Sequence, residues 1–303
     1  MNNRWWIYQQ ERFPILAHGP LVVIFCLSVL LFSALQQEDP GMPPLVQIAG
    51  AAVSTLILFF QLRVADEFKD FETDSRYRPH RAVPRGLVTL RELATLAGIG
   101  AAIQFAVAIY IDIGLVPLLV GVWIYMGLMT KEFFVPAWLR KHPSVYLLSH
   151  MLVMPLIAFY ISAFDWLCVC NVMPAGLGWL LALSFFCGLV LEIGRKIKAP
   201  AKERTGVETY SGLWGAPKSV AIWIACIAAA AMTYLNALPY LTATLNYSIV
   251  AVVLPLLGLA AALPLLRHAW RQRPSADIAI EPTSGLVALT LYLCLGPLPF
   301  LLG

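Results

Sequence analysis

Charge is scarce in this sequence. Only 13% of its 303 residues are Asp, Glu, Lys or Arg, and 60% are hydrophobic, against about 25% charged in soluble globular domains. With a mean hydropathy of +0.76 over 33.4 kDa, too few ionisable groups exist to cover a water-soluble surface. A soluble globular domain and a disordered chain are both excluded. Cysteine supplies no framework either. The six thiols, Cys26, Cys168, Cys170, Cys187, Cys226 and Cys294, sit mostly inside apolar runs, where cysteine behaves as a small hydrophobe. Cys168 and Cys170 form a C-x-C pair with no partners nearby, too little for a zinc site. A disulfide-stapled secreted module is excluded as well, and no nucleic-acid partner is expected.

Long apolar runs are abundant. A transmembrane helix needs about 20 mostly apolar residues, and such runs occur near 14–36, 44–65, 91–111, 113–130, 143–164, 173–193, 217–238, 245–266 and 283–302. The third and fourth are separated only by Asp112 and its neighbours. The first follows a polar start with Arg4 and Arg12 and is too long for a signal-peptide core, so a retained span is expected. Nine spans with a cytoplasmic N-terminus put all 21 Lys and Arg on one side, as the positive-inside rule demands. The opposite side receives only Glu38, Asp39, Asp112 and Asp165. One missed or invented span would destroy this segregation. The expectation is an all-α, polytopic, multi-pass integral membrane protein. Its N-terminus would be cytoplasmic and its C-terminus outside, in the inner or plasma membrane if the cell is bacterial. Residues 1–303 would form a single domain with charged motif loops at 63–91 and 192–218.

The end of the second run reads Asp66-Glu67-Phe68-Lys69-Asp70-Phe71-Glu72-Thr73-Asp74. On a helix that continues past the bilayer edge, Asp66, Asp70 and Asp74 repeat at i, i+4 and i+8. Glu67, Asp70 and Asp74 lie within about 60° of one another. Like charges at this spacing repel, so a counter-cation is implied. Mg2+ suits an all-oxygen cluster, since it is hard and takes one or two carboxylates plus phosphate and water. Equally, the acids can pair at a solvated membrane edge with Lys69, Arg76 and Arg78. The next segment, Arg76 to Leu87, clusters arginines. Carboxylates followed by guanidiniums are what a metal–diphosphate complex requires.

These residues resemble the UbiA-type intramembrane prenyltransferases. The family's N-D-x-x-D-x-x-x-D signature is matched by Asp66-Glu67-x-x-Asp70-x-x-x-Asp74. Its R-P-L-P-x-G signature is matched by Arg81-Ala82-Val83-Pro84-Arg85-Gly86, with Ala82 replacing a proline. Nine helices with cytoplasmic motifs after the second and sixth also agree. The second motif departs more. Its Gly206-x-x-Thr209-Tyr210 tail is present, and Glu192 stands where a first acid is expected, but Lys196 occupies the place of the next aspartate.

The resemblance implies a UbiA-like bundle and Mg2+-dependent transfer of a prenyl group from a prenyl diphosphate to an acceptor within membrane lipid. Asp66, Glu67, Asp70 and Asp74 would be catalytic and would hold the metal, joined by Glu192. Arg78, Arg81, Arg85, Lys131, Lys196, Lys198, Lys202 and Tyr210 would bind the diphosphate. Arg12, just before Pro14, can reach the same cytoplasmic mouth. The rivals are a UbiA-type terpene cyclase and a transporter or lipid-binding protein. A carrier would place ionisable groups near the bilayer midplane, whereas here they cluster at the cytoplasmic edge.

Overall fold

The computed structural model describes residues 3–37, 40–169, 171–203, 206–241 and 276–302, without the side chains of 17, 18 and 276–279. The described residues are all-helical. They group into two compact units, Met1–Leu30 with Pro43–Val172, and Leu31–Met42 with Met173–Gly303. The expected span at 245–266 lies outside the described residues.

In the first unit, α1 (Arg4–Arg12) is short and amphipathic, and α2 (Ile15–Ala34) belongs to it as far as Leu30. Helix α3 (Leu45–Tyr77) has 33 residues, about 50 Å at 1.5 Å per residue, well beyond a hydrocarbon core of about 30 Å. The acids lie on its last turns, from Asp66 onward. Helix α4 (Leu90–Ile111) begins with a capping box between Thr89 and Glu92. It stops at Asp112, whose carboxylate accepts from the Gly114 amide at 2.7 Å and turns the chain into α5 (Leu115–Thr130). The weakest boundary in the sequence is thus a real turn, closed by the one polar side chain available there.

After α5 come α6 (Pro136–Lys141), α7 (Pro143–Met151) and α8 (Val153–Val169). The last two cover the expected 143–164 span. They are divided at Leu152, where the ladder stretches to 3.3 and 3.4 Å. Pro155 is the cause: it has no N–H for the Met151 carbonyl and crowds it. Helix α3 packs against α4, α5 and α8. Gly50 lets it approach Ile111, Val107 and Phe164, and Gly100 of α4 faces Ile57. Two amides bond across the pair, Gln104 to the Ser54 carbonyl at 3.0 Å and Gln61 to the Ala97 carbonyl at 3.1 Å. Small residues and polar cross-links are what hold helices together where water supplies no drive.

In the second unit, α9 (Leu177–Arg195) packs against α11 (Ala216–Ala237) and α12 (Ala276–Leu295), with α10 (Tyr210–Trp214) and α13 (Pro297–Leu302) as short pieces. The last span was expected over 283–302. The helix instead begins earlier and breaks at Gly296, because Pro297 and Pro299 disfavour a continuing ladder. The fully buried Trp223 indole N–H donates to Ser284 Oγ at 3.0 Å and to the Val190 carbonyl at 3.2 Å. A β-carbon on Gly194 would collide with Ser284 Oγ and press on that indole. Gly194→Ala is therefore expected to cost about 1–3 kcal/mol through overpacking. A thermal melt in detergent checks this; an unchanged melting temperature would mean that α9 and α12 can separate freely there.

Candidate active site

The C-terminal end of α3 is wrapped by the segment that follows it. Ala82 and Val83 are buried with Val64, Val88, Leu93 and Tyr8 of α1. The chain turns through Gly86 at φ +76°, with Gly86 and Leu87 donating to the carbonyls of Val83 and Ala82, both at 3.0 Å. Only glycine adopts that backbone without cost, which explains the glycine of the motif. The fold carries Arg78 and Arg81 back beside the acids.

Two acids are buried and gripped. Glu67 accepts from Arg12 Nε of α1. Asp74 accepts from Arg81 at 2.5 Å and from Arg78 at 3.3 Å, and Arg12 lies 3.9 Å away. Side-chain exposure is 2% for Glu67 and 9% for Arg12, so this is an interior ion pair. Burial alone would lower the Arg12 guanidinium; the bond to Glu67 and the charges of Glu67 and Asp74 turn the net shift upward. Arg78 is lowered, by burial first and then by the like charge of Arg81. The Tyr8 hydroxyl is pushed up by burial and by Glu67. Helix α1 is tied to the same assembly at two further points, Arg4 to Glu92 at 2.6 Å and Glu11 to Arg85 at 2.7 Å.

The remaining acids differ. Asp66 is 43% exposed and lies 3.3 Å from Arg63, and Asp70 is half-buried. Lys69 turns to the other side of the helix. Its ammonium meets Tyr146 Oη, Glu132 at 3.3 Å and His150 Nε2 at 3.2 Å. His150 stacks on Tyr146 with ring centres 3.9 Å apart, and its Nδ1 donates to the Tyr146 carbonyl at 2.8 Å. That bond leaves Nε2 as the accepting nitrogen. Glu132, Phe133 and Phe134 all have positive φ, from 49° to 61°. The strain persists because Glu132 is held by Lys69, and Phe133 by Tyr125 and His150. This hub has no motif to announce it; an isolated acid after Lys131 and a histidine in the fifth span were its only signals. Lys131 itself is exposed at the end of α5.

In the second unit, Glu192 lies near the end of α9 with Arg195 at 2.5 Å and Lys196 at 2.9 Å. Tyr210 is buried beside them, and its hydroxyl is raised by burial and by the Glu192 charge. Lys198 pairs with Glu281 at 3.3 Å, and Lys202 stands exposed on a single turn. Thr209 caps α10, while Gly206 and Gly215 take φ of +77° and +81°. The glycines and threonine of the tail are therefore turn residues. The structure brings together Glu67, Asp74, Arg78 and Arg81 in one unit and Glu192, Lys196 and Tyr210 in the other.

The UbiA prenyltransferase family model matches residues 18–280. The chain belongs to the UbiA prenyltransferase family. Membership makes it a prenyltransferase by class, within a family that uses prenyl diphosphates and typically depends on Mg2+. Two solved structures share the fold. One is the apo structure of a UbiA homolog from Aeropyrum pernix K1, with a TM-score of 0.66 at 18% identity, covering 89% of this chain and 94% of that one. The other comes from structural work on digeranylgeranylglyceryl phosphate synthase in membranes, with a TM-score of 0.59 at 14% identity, covering 97% and 99%. The search of curated proteins gives no match. The all-α bundle expected from the sequence is thus the observed one. Eight apolar helices are found among the described residues, five of membrane-crossing length and three shorter.

The α3 acids fit Mg2+ on the chemistry of the donor set. Every donor in the stripe is a hard carboxylate oxygen. Among the described residues no three His, Cys, Asp or Glu converge into a protein-only cage.

Proposed function

We propose that this UbiA-family protein transfers a prenyl group from a prenyl diphosphate to an acceptor at the cytoplasmic membrane edge, with Mg2+ as cofactor. The observation that carries this reading is the division of the α3 acids, Glu67 and Asp74 buried against arginines and Asp66 and Asp70 only partly buried. Asp66 and Asp70 are the more accessible pair and would hold Mg2+. Asp74 and Glu67 hold Arg81, Arg78 and Arg12 in place. Mg2+, when bound, neutralises and polarises the diphosphate leaving group.

Arg78 and Arg81 are positioned to take phosphate oxygens through their guanidinium forks, and Arg85 and Lys131 extend the basic rim. These groups stabilise the charge that develops as the C1–oxygen bond breaks and its electron pair leaves on the diphosphate. The acceptor's nucleophile then bonds to C1 and its proton departs. The bilayer holds the isoprenoid tail, whose entry from the lipid side matches charges confined to helix ends.

The test is incubation of purified protein with a labelled prenyl diphosphate and Mg2+, with and without a membrane extract as acceptor source. Pyrophosphate release with a prenylated product only when extract is present supports transfer. A cyclic product without extract would identify a cyclase, and no pyrophosphate release at all would identify a carrier.

The orientation belongs to the same reading. A reporter fused after Gly303 should be active outside the cytoplasm, and one inserted between Arg271 and Glu281 should be active in it. The same compartment for both would break the nine-span count.

A further inference from the structure

One lysine stands inside the acid run Asp66–Asp74. At about 100° per residue, Lys69 lies about 60° from Asp66 around α3 and three residues from it, a spacing at which side chains meet. Laid along the helix, its ammonium would settle on that carboxylate. Asp66 already has Arg63 at 3.3 Å, and Arg78 already lies in the field of Asp70. A further ammonium would occupy oxygens that a divalent ion needs, and it would repel the ion as well.

The fold draws Lys69 away. Its ammonium donates to Tyr146 Oη and lies 3.3 Å from Glu132, 3.2 Å from His150 Nε2 and 4.2 Å from the centre of the Tyr146 ring. The Lys69 and Glu132 side chains are 16% and 15% exposed, so little water competes for either charge. The receiving groups are themselves fixed. Tyr146 and His150 stand one turn apart on α7 and stack on each other. Glu132 opens a turn in which three successive non-glycine residues take φ of 49°, 52° and 61°. Such backbone is costly and persists where neighbours over-determine it; here it presents the Glu132 carboxylate to Lys69. All of these residues belong to the first unit.

We infer that Glu132, Tyr146 and His150 are positioning residues that hold the Lys69 ammonium off Asp66 and Asp70, so that these acids keep their charge for a divalent cation. This rests on the reading above that Asp66 and Asp70 hold Mg2+. Glu132 contributes most, because it brings the negative charge that balances the ammonium where solvent is scarce. Tyr146 and His150 supply a hydroxyl, a ring face and an accepting nitrogen. Without Glu132 the ammonium keeps its charge and has Asp66 within reach on its own helix. A unit charge about 6 Å from a divalent ion in water-like surroundings changes its affinity by a factor of about 10.

The experiment uses full-length protein in phosphatidylcholine nanodiscs and Mn2+ alone as the probe, with free Mn2+ counted by electron paramagnetic resonance against empty nanodiscs. The wild type should bind Mn2+, and Asp70→Asn should bind it at least about 10-fold more weakly. Glu132→Gln should weaken binding by about 5-fold or more. The double variant Lys69→Met with Glu132→Gln should return to within about twofold of the wild type, because no ammonium remains to fall on Asp66. A Glu132 that only braces the fold gives a different result, since removing Lys69 as well would then leave binding as weak as in Glu132→Gln. That result overturns the inference, and so does wild-type affinity in Glu132→Gln. If Glu132→Gln does not fold, Tyr146→Phe carries the test. It keeps the ring and deletes the hydroxyl, so it should weaken Mn2+ binding by about twofold or more, with Lys69→Met restoring it; failure of either step overturns the inference. Weak binding in Asp70→Asn with no effect of the hub variants defeats this inference and leaves the metal reading intact. No Mn2+ binding by the wild type, or equal binding by Asp70→Asn, defeats both.

Discussion

Asp70→Asn should cut turnover by at least about 10²-fold, roughly 2.7 kcal/mol of transition-state stabilisation, and leave stability nearly unchanged. The division of labour around α3 explains why. At about 100° per residue, Glu67 and Asp74 share the side sealed by Arg12 and Arg81, and Lys69 occupies the side tied to Glu132, Tyr146 and His150. Asp66 and Asp70 lie on the strip between. Asn keeps the shape and one carbonyl oxygen but removes the charge that a divalent cation needs. Asp70 is only half-buried, so the substitution should move stability by no more than about 0.5–1 kcal/mol. Steady-state turnover and a thermal melt on the same preparation settle the matter. A folded Asp70→Asn protein with undiminished Mg2+-dependent turnover would remove the metal from α3.

Much of this arrangement was legible in the sequence because membrane spans and charged edges are strong, one-dimensional signals. The spans emerged from run length, and Asp112 marked the break between α4 and α5 because no other polar group could close a turn there. The carboxylate stripe followed from helical spacing alone. Its partners did not. Proximity in sequence suggested Lys69, Arg76 and Arg78, yet only Arg78 reaches a buried acid of the stripe. Lys69 points to the far side of the helix, and Arg76 lies over the Tyr77 ring at 5.3 Å. The decisive cation comes from 55 residues upstream, on a separate short helix. A stripe of acids states that a counter-charge is needed without stating which segment folds back to supply it. The same holds for the α12 break, where two prolines permit several endings, and for the Lys69 hub, which draws on three segments with no shared spacing.

Glu67→Gln should destabilise the protein by about 3–5 kcal/mol, the usual cost of stranding one member of a buried ion pair. Arg12 would keep its charge in a site where only 9% of its side chain meets solvent, with Asp74 at 3.9 Å as its remaining acid. Asp74 is already shared with Arg81 and Arg78, so it cannot compensate fully. Helix α1 would loosen, and with it the packing of Tyr8 on Ala82 and Val83 that holds the arginine segment in place. Turnover should fall as well, through displaced arginines and not through a lost metal ligand. The double variant Arg12→Met with Glu67→Leu separates the two causes. It removes both charges together, and a buried pair replaced by apolar side chains is often no less stable than the original. The double variant should therefore melt within about 1 kcal/mol of the wild type, giving a coupling energy far larger than independent sites show. Turnover should recover along with stability if Glu67 acts only by holding Arg12. A stable double variant that remains inactive would instead make Glu67 a ligand in its own right, and a Glu67→Gln protein that melts like the wild type would show that α1 is not fastened to α3 through this pair.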